Sequence, residues 1–213
     1  MENQLSRREN ERKTREAEIV NAALRIFCEK GYADASMDEI AKTAHFTKRT
    51  VYQYFINKED LYFAVALQEL RRFFNCVETT VDGGANGFEK LRLSGLAYYQ
   101  FFKDCPDLLR ILSNAQFIQS NRESSRHYQE IARLRKEMIF KAAQLIEEGK
   151  ADGSIRGDLD AKQGAYAIFT LLIGFFFRMV ERGGQAVLEQ AGLEQDGFIL
   201  YTLEMISEMY RAK

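Results

Sequence analysis

Apolar residues recur every three or four positions along most of the chain, and no stretch alternates apolar and polar side chains for long enough to predict a strand. Pro106 is the only proline, and glycines near 83–84, 149–157 and 183–184 separate the helical stretches. The pattern therefore predicts an all-α protein. We expect helices over about 12–30 and 58–79 with two short ones between them, then five more at 88–103, from Pro106 onward, and at 124–148, 160–183 and 195–211.

The stretch 36–61, SMDEIAKTAHFTKRTVYQYFINKEDL, carries the start signals of three successive helices. Ser36 and Glu39 fit a capping box, in which a hydroxyl and a carboxylate bind backbone amides that the first helical turn leaves unsatisfied. Thr47 and Asn57 are suited to cap the next two helices. Two short helices with a tight connection, followed by the start of a third, have the spacing of a helix-turn-helix.

The second of these short helices has one apolar and one polar face. Val51 and Phe55 are spaced to pack against the rest of the domain. The other side chains supply two cations, several hydroxyls and an amide, with no carboxylate, which suits the phosphates and base edges of DNA. This polar face consists of Thr47, Lys48, Arg49, Thr50, Tyr52, Gln53 and Tyr54.

Together with Phe27, Gly31 and Tyr32, this block resembles the DNA-binding signature of the tetracycline-repressor (TetR) family of bacterial transcriptional regulators. The resemblance covers roughly 15–65 and implies an N-terminal three-helix DNA-binding domain followed by a larger helical ligand-binding and dimerisation domain. Two positions depart from the family pattern. His45 stands where a glycine is usual, in a turn whose left-handed backbone histidine tolerates, and Arg49 stands where a small residue is frequent. The other matching residues are Ser36, Ile40, Ala41, Ala44, Tyr52, Tyr54, Phe55, Lys58, Glu59 and Leu61.

We expect this surface to bind double-stranded DNA. Two copies related by a two-fold axis would read a palindromic operator. Arg49 can form a forked pair with guanine. The expected base contacts come from Thr47, Arg49, Thr50 and Gln53, the expected phosphate contacts from Lys48, Tyr54 and Lys58 with a hydroxyl or amide contact from Ser36, and Tyr52 would stack on a sugar or meet a thymine methyl group.

The net charge of the 213-residue chain is −1, so any affinity for DNA has to come from a local surface. Every charged residue in the range 41–58 is positive. A second group of cations lies among acidic residues in the N-terminal tail. It is either the solvated start of a helix or an arm that touches phosphate or an adjacent minor groove. These cations are Arg7, Arg8, Arg12, Lys13 and Arg15.

The cysteines and the N-terminus predict a cytoplasmic protein. Cys28, Cys76 and Cys105 are scattered and form no CxxC pair, which indicates a reducing compartment. The polar N-terminus does not resemble a signal peptide. The longest apolar run, 165–177, is shorter than the roughly 20 residues that span a bilayer, so we expect no membrane partner.

The predicted helix over 160–183 is apolar nearly all round and has to be buried on every side. A partner subunit would supply that burial, and the last helix, about 195–211, offers a second apolar face. We expect these two helices to pair with their symmetry mates in a two-fold homodimer. The alternative is a monomer whose central helix is covered by its own chain.

The second half is also rich in aromatic residues, which at helical spacing form either plain core or the wall of an apolar pocket. The resemblance implies an unknown small apolar or amphipathic effector there, and it favours a repressor. Binding would shift the dimer to a spacing that no longer fits both half-sites. The DNA-binding domain, 1–60, and the effector-binding and dimerisation domain, 61–213, would meet within helix four. The expected effector contacts are Tyr98, Phe101, Phe102, Leu109, Leu112, Phe117, Tyr128, Tyr166 and Phe169.

Two other functions stay open at this point. The DNA-binding regulator could respond to oxidation of Cys76 and Cys105 instead of a ligand. A helical enzyme is disfavoured, because His45 and His127 are far apart in the sequence and are more simply explained as structural residues. The sequence contains no GxSxG elbow and no glycine-rich phosphate loop. We therefore expect no catalytic residue, no metal and no cofactor.

Overall fold

The computed structural model describes residues 2–115, 118, 125–180 and 184–213. These residues form helices throughout, and they contain no strand beyond an isolated bridge between Ile155 and Arg211, so the all-α prediction is confirmed. The helices are α1 (Glu2–Asp34), α2 (Met37–Thr43), α3 (Lys48–Tyr54), α4 (Lys58–Val81), α5 (Gly87–Asp104), α6 (Pro106–Ala115), α7 (Arg126–Asp152), α8 (Ala161–Val180), α9 (Gly184–Gln190) and α10 (Gln195–Glu208).

Several helices begin at the caps that the sequence predicts. Ser36 and Glu39 form a complete capping box on α2: Ser36 Oγ accepts from the Glu39 amide at 3.2 Å, and Glu39 Oε2 accepts from the Ser36 amide at 3.3 Å. The other predicted caps are Thr47 on α3 and Asn57 on α4, and Asp160 caps α8 as well. Each accepts a first-turn backbone amide through its side-chain oxygen.

The turn between α2 and α3 has the left-handed conformation expected at its histidine. His45 has φ 57°, and no other non-glycine residue of the described part has a positive φ. The His45 amide donates to the Lys42 carbonyl at 3.1 Å, and the Phe46 amide donates to the Ala41 carbonyl at 2.9 Å. This is the hydrogen-bond pattern of a Schellman motif, which holds His45 where a glycine would be free of strain.

Three features differ from the predicted helix boundaries. α1 already begins at Glu2, although its backbone does leave helical geometry at the predicted stop, Gly31, where φ is 78°. α7 continues through Gly149 to Asp152, and this glycine allows close packing, since a Cβ there would lie 2.6 Å from the Ile155 side chain. The short helix α9, Gly184–Gln190, was not predicted.

The chain divides into two compact units. The first unit comprises Met1–Glu69 and Asn114–Ile131, and the second comprises Leu70–Ser113 and Ala132–Lys213. Both α4 and α7 therefore take part in both units. The first turns of α4 belong to the first unit, where the Phe63 ring lies 5.1 Å from the Tyr128 ring, centre to centre.

Each unit has an aromatic core of its own. In the first unit the Tyr62 ring lies 4.9 Å from the Phe27 ring and 5.0 Å from the Tyr32 ring, centre to centre. In the second unit the Phe73 and Tyr98 rings are 4.4 Å apart. The rings of the first unit join α1 to α4, and those of the second unit join α4 to α5.

Helix α8, Ala161–Val180, is by length and composition apolar enough to cross a membrane, and no other helix among the described residues is. Its apolar window has a mean hydropathy of 1.5, and 33% of that window is buried within the chain. Tyr166 and Leu171 are among its exposed apolar residues. The same features are typical of a helix that a second subunit covers.

Candidate DNA-binding surface and effector cavity

Helix α3 directs its apolar side chains inward and its polar side chains to solvent. Val51 and Phe55 are fully buried in the first unit. The polar set that the sequence predicts is brought together on one exposed surface, which we call the α3 surface. Its members are Thr47, Lys48, Arg49, Thr50, Tyr52, Gln53 and Tyr54, all exposed or half-buried.

Lys48 and Ser36, which belong to the predicted DNA-binding set, each bind a carboxylate within the first unit. Lys48 Nζ lies 2.8 Å from Asp38 Oδ2, and this hydrogen bond raises the pKa of Lys48. Both side chains of the pair are more than half exposed, so solvent screens it and a phosphate can replace Asp38. The Ser36 hydroxyl donates to Glu39 Oε2 at 3.0 Å. Asp38 lies on α2, and the pattern of α3 by itself could not reveal it.

Lys58, an expected phosphate contact, has a structural role instead. Its ammonium donates to the carbonyl oxygens of Tyr32 at 2.7 Å, Ala33 at 3.1 Å and Ala35 at 2.9 Å, which uses all three of its protons. The ammonium also lies 4.6 Å from the centre of the Tyr32 ring. The carbonyls at the end of a helix carry partial negative charge, so Lys58 fastens the end of α1 to the start of α4.

The cations of the N-terminal tail lie on α1. The Arg12 guanidinium is 6.0 Å from the centre of the Tyr54 ring, at the edge of the α3 surface. Arg7 pairs with Glu11 one helical turn away at 3.1 Å. These contacts favour the solvated helix start over the extended arm, and they place one tail cation beside α3.

A cavity of about 500 Å³ lies within the second unit. Its volume is in the range of small-molecule sites. Helices α4, α5, α7 and α8 each contribute to a wall that is largely apolar. The apolar lining residues are Phe74, Val77, Val81, Tyr98, Met138, Ala142, Leu145, Ile168, Phe169 and Leu172.

Three of the charged residues that line this cavity, Glu78, Lys141 and Glu148, take part in ion pairs. The Lys141 ammonium is bound to the Glu78 carboxylate and lies 4.7 Å from the centre of the Phe74 ring. Glu148, another lining residue, accepts from Lys90 at 2.9 Å. Most of the cavity wall is therefore apolar, and Lys141 can exchange Glu78 for a negatively charged group of a ligand.

Only part of the expected effector set lines this cavity, because the side of a helix that faces a cavity depends on how its neighbours pack. Tyr98 and Phe169 do line it, and burial raises the pKa of Tyr98, so its hydroxyl stays protonated. The signal that could have revealed more of the wall is the i, i+3, i+7 spacing of Phe74, Val77 and Val81 on α4. The other expected residues lie as follows: Phe101, Phe102 and Leu109 are buried away from this cavity, Leu112 is half-buried, Tyr128 packs on Phe63 in the first unit, Tyr166 is 62% exposed, and Phe117 lies outside the described residues.

The first unit also contains a buried polar cluster that the sequence interpretation overlooked when it treated His127 as an isolated histidine. His127 Nδ1 and Ser125 Oγ each lie 2.9 Å from Asp60 Oδ1. Burial works to raise the pKa of Asp60, but the hydrogen bonds from His127 and Ser125 outweigh it and hold that pKa below its usual range. The partners are more than sixty residues apart in sequence, so no local pattern could have paired them.

The remaining chemistry of the described part is sparse. The three cysteines are thiols, each partly buried. Across residues 2–115, 118, 125–180 and 184–213 no group of three or more His, Cys, Asp or Glu side chains is placed to hold a metal ion. Neither observation favours the redox-controlled regulator over a ligand-controlled one.

Known proteins match this chain in sequence. Residues 19–65 fit the family described as "Bacterial regulatory proteins, tetR family". The "Fatty acid metabolism regulator protein" of Bacillus subtilis (strain 168) is 28% identical over 152 residues, which cover 71% of this chain and 76% of that protein. Over some other curated relatives the match covers as little as 33% of the relative's own length.

Solved structures share the fold over nearly the whole length. The regulator FadR from Bacillus subtilis, in complex with stearoyl-CoA, superposes with a TM-score of 0.68 at 22% identity and covers 91% of this chain and 96% of that chain. AibR, in complex with isovaleryl coenzyme A and operator DNA, superposes with a TM-score of 0.66 at 22% identity and covers 91% and 97%. At these identities the likeness shows a common architecture.

Proposed function

Since this chain belongs to the TetR family of DNA-binding transcriptional regulators, we propose that it is a homodimeric repressor that a small apolar or amphipathic effector releases from a palindromic operator. The observation that carries the proposal is the α3 surface. Two cations, several hydroxyls and an amide stand exposed on a helix that contains no carboxylate, while Val51 and Phe55 anchor its other side in the core.

The roles on the α3 surface follow from side-chain chemistry. Arg49 and Gln53 would read base edges through paired hydrogen bonds. Lys48 would exchange its exposed contact with Asp38 for a DNA phosphate. The remaining contacts would come from Thr47 and Thr50 to bases, from Tyr52 to sugar or a thymine methyl, and from Tyr54 and Ser36 to the backbone; Lys58 is left out because its ammonium is fully used within the protein.

A second copy of the chain would cover α8 and α10. Both helices expose large apolar side chains. Tyr166 on α8 is 62% exposed, and Tyr201 on α10 is 66% exposed. Isolated apolar residues are ordinary on a surface, but a set on two helices is typical of an interface. A two-fold dimer would bury the set in both subunits and would place two α3 surfaces on one palindrome, in the cytoplasm, where the operator is. The other exposed apolar members are Leu171, Leu200, Met205 and Met209.

The effector would occupy the cavity of the second unit. Its apolar wall suits a hydrocarbon chain. Lys141 would release Glu78 and bind the polar end group of the effector instead. The Bacillus subtilis relative is named for fatty acid metabolism, and the structure of FadR holds stearoyl-CoA. A fatty acyl compound is therefore the first effector class that we propose to test.

DNA binding is tested by mobility shift with duplexes from upstream of the protein's own gene, at physiological salt. We expect specific binding by the wild type and its loss in the double variant Lys48→Ala, Arg49→Ala. The matched control is Lys136→Ala, Lys213→Ala, which removes the same charge from exposed positions of the second unit and should bind normally. If the wild type binds no fragment above the non-specific level, the proposed function is wrong.

Effector binding is tested with stearoyl-CoA, stearate and octadecanol, which share a chain and differ in the end group. A ligand of the native state raises the melting temperature, and an effector of a repressor also weakens operator binding. Ala142→Phe, which fills the cavity, should remove both responses, whereas Ala143→Phe, one residue outside the lining, should keep them. If none of the three compounds changes either quantity, the fatty acyl class is excluded.

A further inference from the structure

The buried cluster of Asp60, Ser125 and His127 joins the start of α7 to the start of α4. The Asp60 carboxylate can only accept hydrogen bonds, so His127 donates through Nδ1 and Ser125 through Oγ, both to Oδ1 at 2.9 Å. The Ser125 hydroxyl also accepts from the Tyr128 amide at 3.3 Å and so caps the first turn of α7. Asp60 and His127 are 8% and 7% exposed, so the cluster is shielded from water.

The Asp60 carboxylate also binds the backbone of the segment that follows α3. Asp60 Oδ2 accepts from the Ile56 amide at 3.4 Å, directly after Phe55, the residue that ends α3. The Phe55 ring is fully buried and lies 5.8 Å from the His127 ring, centre to centre. His127 therefore contacts both the residue that ends α3 and the carboxylate that orders the turn into α4.

Further along, the same α7 helix forms part of the effector cavity. Met138, Lys141, Ala142 and Leu145 recur on one side of α7 and line the cavity wall. A single helix thus has its first turn fixed beside the end of α3 and its middle exposed to the cavity. Helix α4, within which the two predicted domains meet, also lines the cavity, through Phe74, Val77 and Val81.

We propose that His127 and Ser125 are positioning residues that couple the effector cavity to the recognition helix α3 through α7, as a second route beside α4. This inference rests on the proposed function. A ligand that displaces α7 acts on the Asp60 carboxylate, and hence on the turn after α3. Linkage makes the coupling reciprocal, so operator bound to α3 has to change the stability of α7 as well. That reciprocal effect needs no knowledge of the effector.

The experiment follows hydrogen exchange in the full-length protein, free and bound to the operator duplex found by mobility shift. His127→Leu removes the donor and keeps an apolar side chain, whereas His127→Asn can present an amide N–H near the position of Nδ1. Ser125→Ala is a milder second test. Ile19→Val is the matched control, because it loosens the buried core of the same unit without touching a polar contact.

In the wild type, His127→Asn and Ile19→Val we expect operator binding to slow exchange of the α7 amides of 129–145 by about fivefold or more. In His127→Leu that protection should vanish, and in Ser125→Ala it should be reduced, even though operator still binds. The inference is overturned if operator leaves α7 exchange unchanged in the wild type, or if His127→Leu keeps the full protection. An absence of operator binding in the wild type is a different result, which overturns the proposed function itself.

Discussion

Replacing Lys58 by methionine distinguishes a structural role of this lysine from a DNA-contacting role. Methionine keeps most of the apolar stem and deletes the ammonium that binds Tyr32, Ala33 and Ala35. A hydrogen bond to a charged group contributes about 1.5–3 kcal/mol. Three such bonds from one half-buried ammonium are not additive, so we expect a loss of about 2–4 kcal/mol of unfolding free energy.

For a chain of this length each kcal/mol corresponds to about 2–4 °C, so the melting temperature of Lys58→Met should fall by roughly 4–16 °C in calorimetry. Below the melting transition, operator affinity should keep its dependence on salt. A lost phosphate contact would instead reduce the slope of log K against log salt by about 0.9.

Lys48→Met is the matched control, because Lys48 is exposed and Lys58 is held by backbone carbonyls. We expect the reverse pattern from it: a smaller salt slope and a nearly unchanged melting temperature. The structural role of Lys58 is refuted if Lys58→Met melts like the wild type while its salt slope falls by about one phosphate contact.

Three further predictions concern stability. His45→Gly should raise the melting temperature, because a left-handed penalty of about 1–2 kcal/mol exceeds the entropic cost of glycine of about 0.5–1 kcal/mol, whereas His45→Val should lower it. Gly87→Ala should cost about 1–3 kcal/mol in urea unfolding, because its Cβ would lie 2.2 Å from the Gly149 nitrogen; Gly157→Ala, with nothing within 4 Å, is its control. The folded pKa of Asp60 lies below its unfolded value of about 3.9. Its contribution to the unfolding free energy is therefore complete above about pH 3.9 and is lost as the pH falls through the folded pKa. Unfolding free energies measured down to about pH 2 should show this loss, and Asp60→Asn should lessen it.

The local features of the fold were predictable because their causes lie within a few residues. Ser36 with Glu39, Thr47 and Asn57 cap helices through amides three residues away at most. His45 takes the left-handed turn for a local reason too, since its backbone bonds reach only the preceding helix. The α3 surface followed from the same short-range periodicity, and its residues are exposed or half-buried whereas Val51 and Phe55 are buried.

The errors have a common cause, which is contact between residues distant in sequence. Lys58 has the composition of a phosphate contact, but its acceptors lie 23 to 26 residues earlier. His127 had no visible partner because Asp60 is 67 residues away. Gly149 was interpreted as a helix stop, whereas the approach of Ile155 explains why it has no side chain.

By itself the sequence determined that the chain is helical, where most of its helices start, and that an early helix presents cations and hydrogen-bonding groups without a carboxylate. These properties depend on hydrogen bonds and periodicity over one or two helical turns. Only the tertiary structure decided which lysine is available to DNA, which side chains line the cavity, and that α7 reaches the end of α3 through His127. Those depend on which helix faces pack together, and that choice is made by the whole set of buried side chains at once.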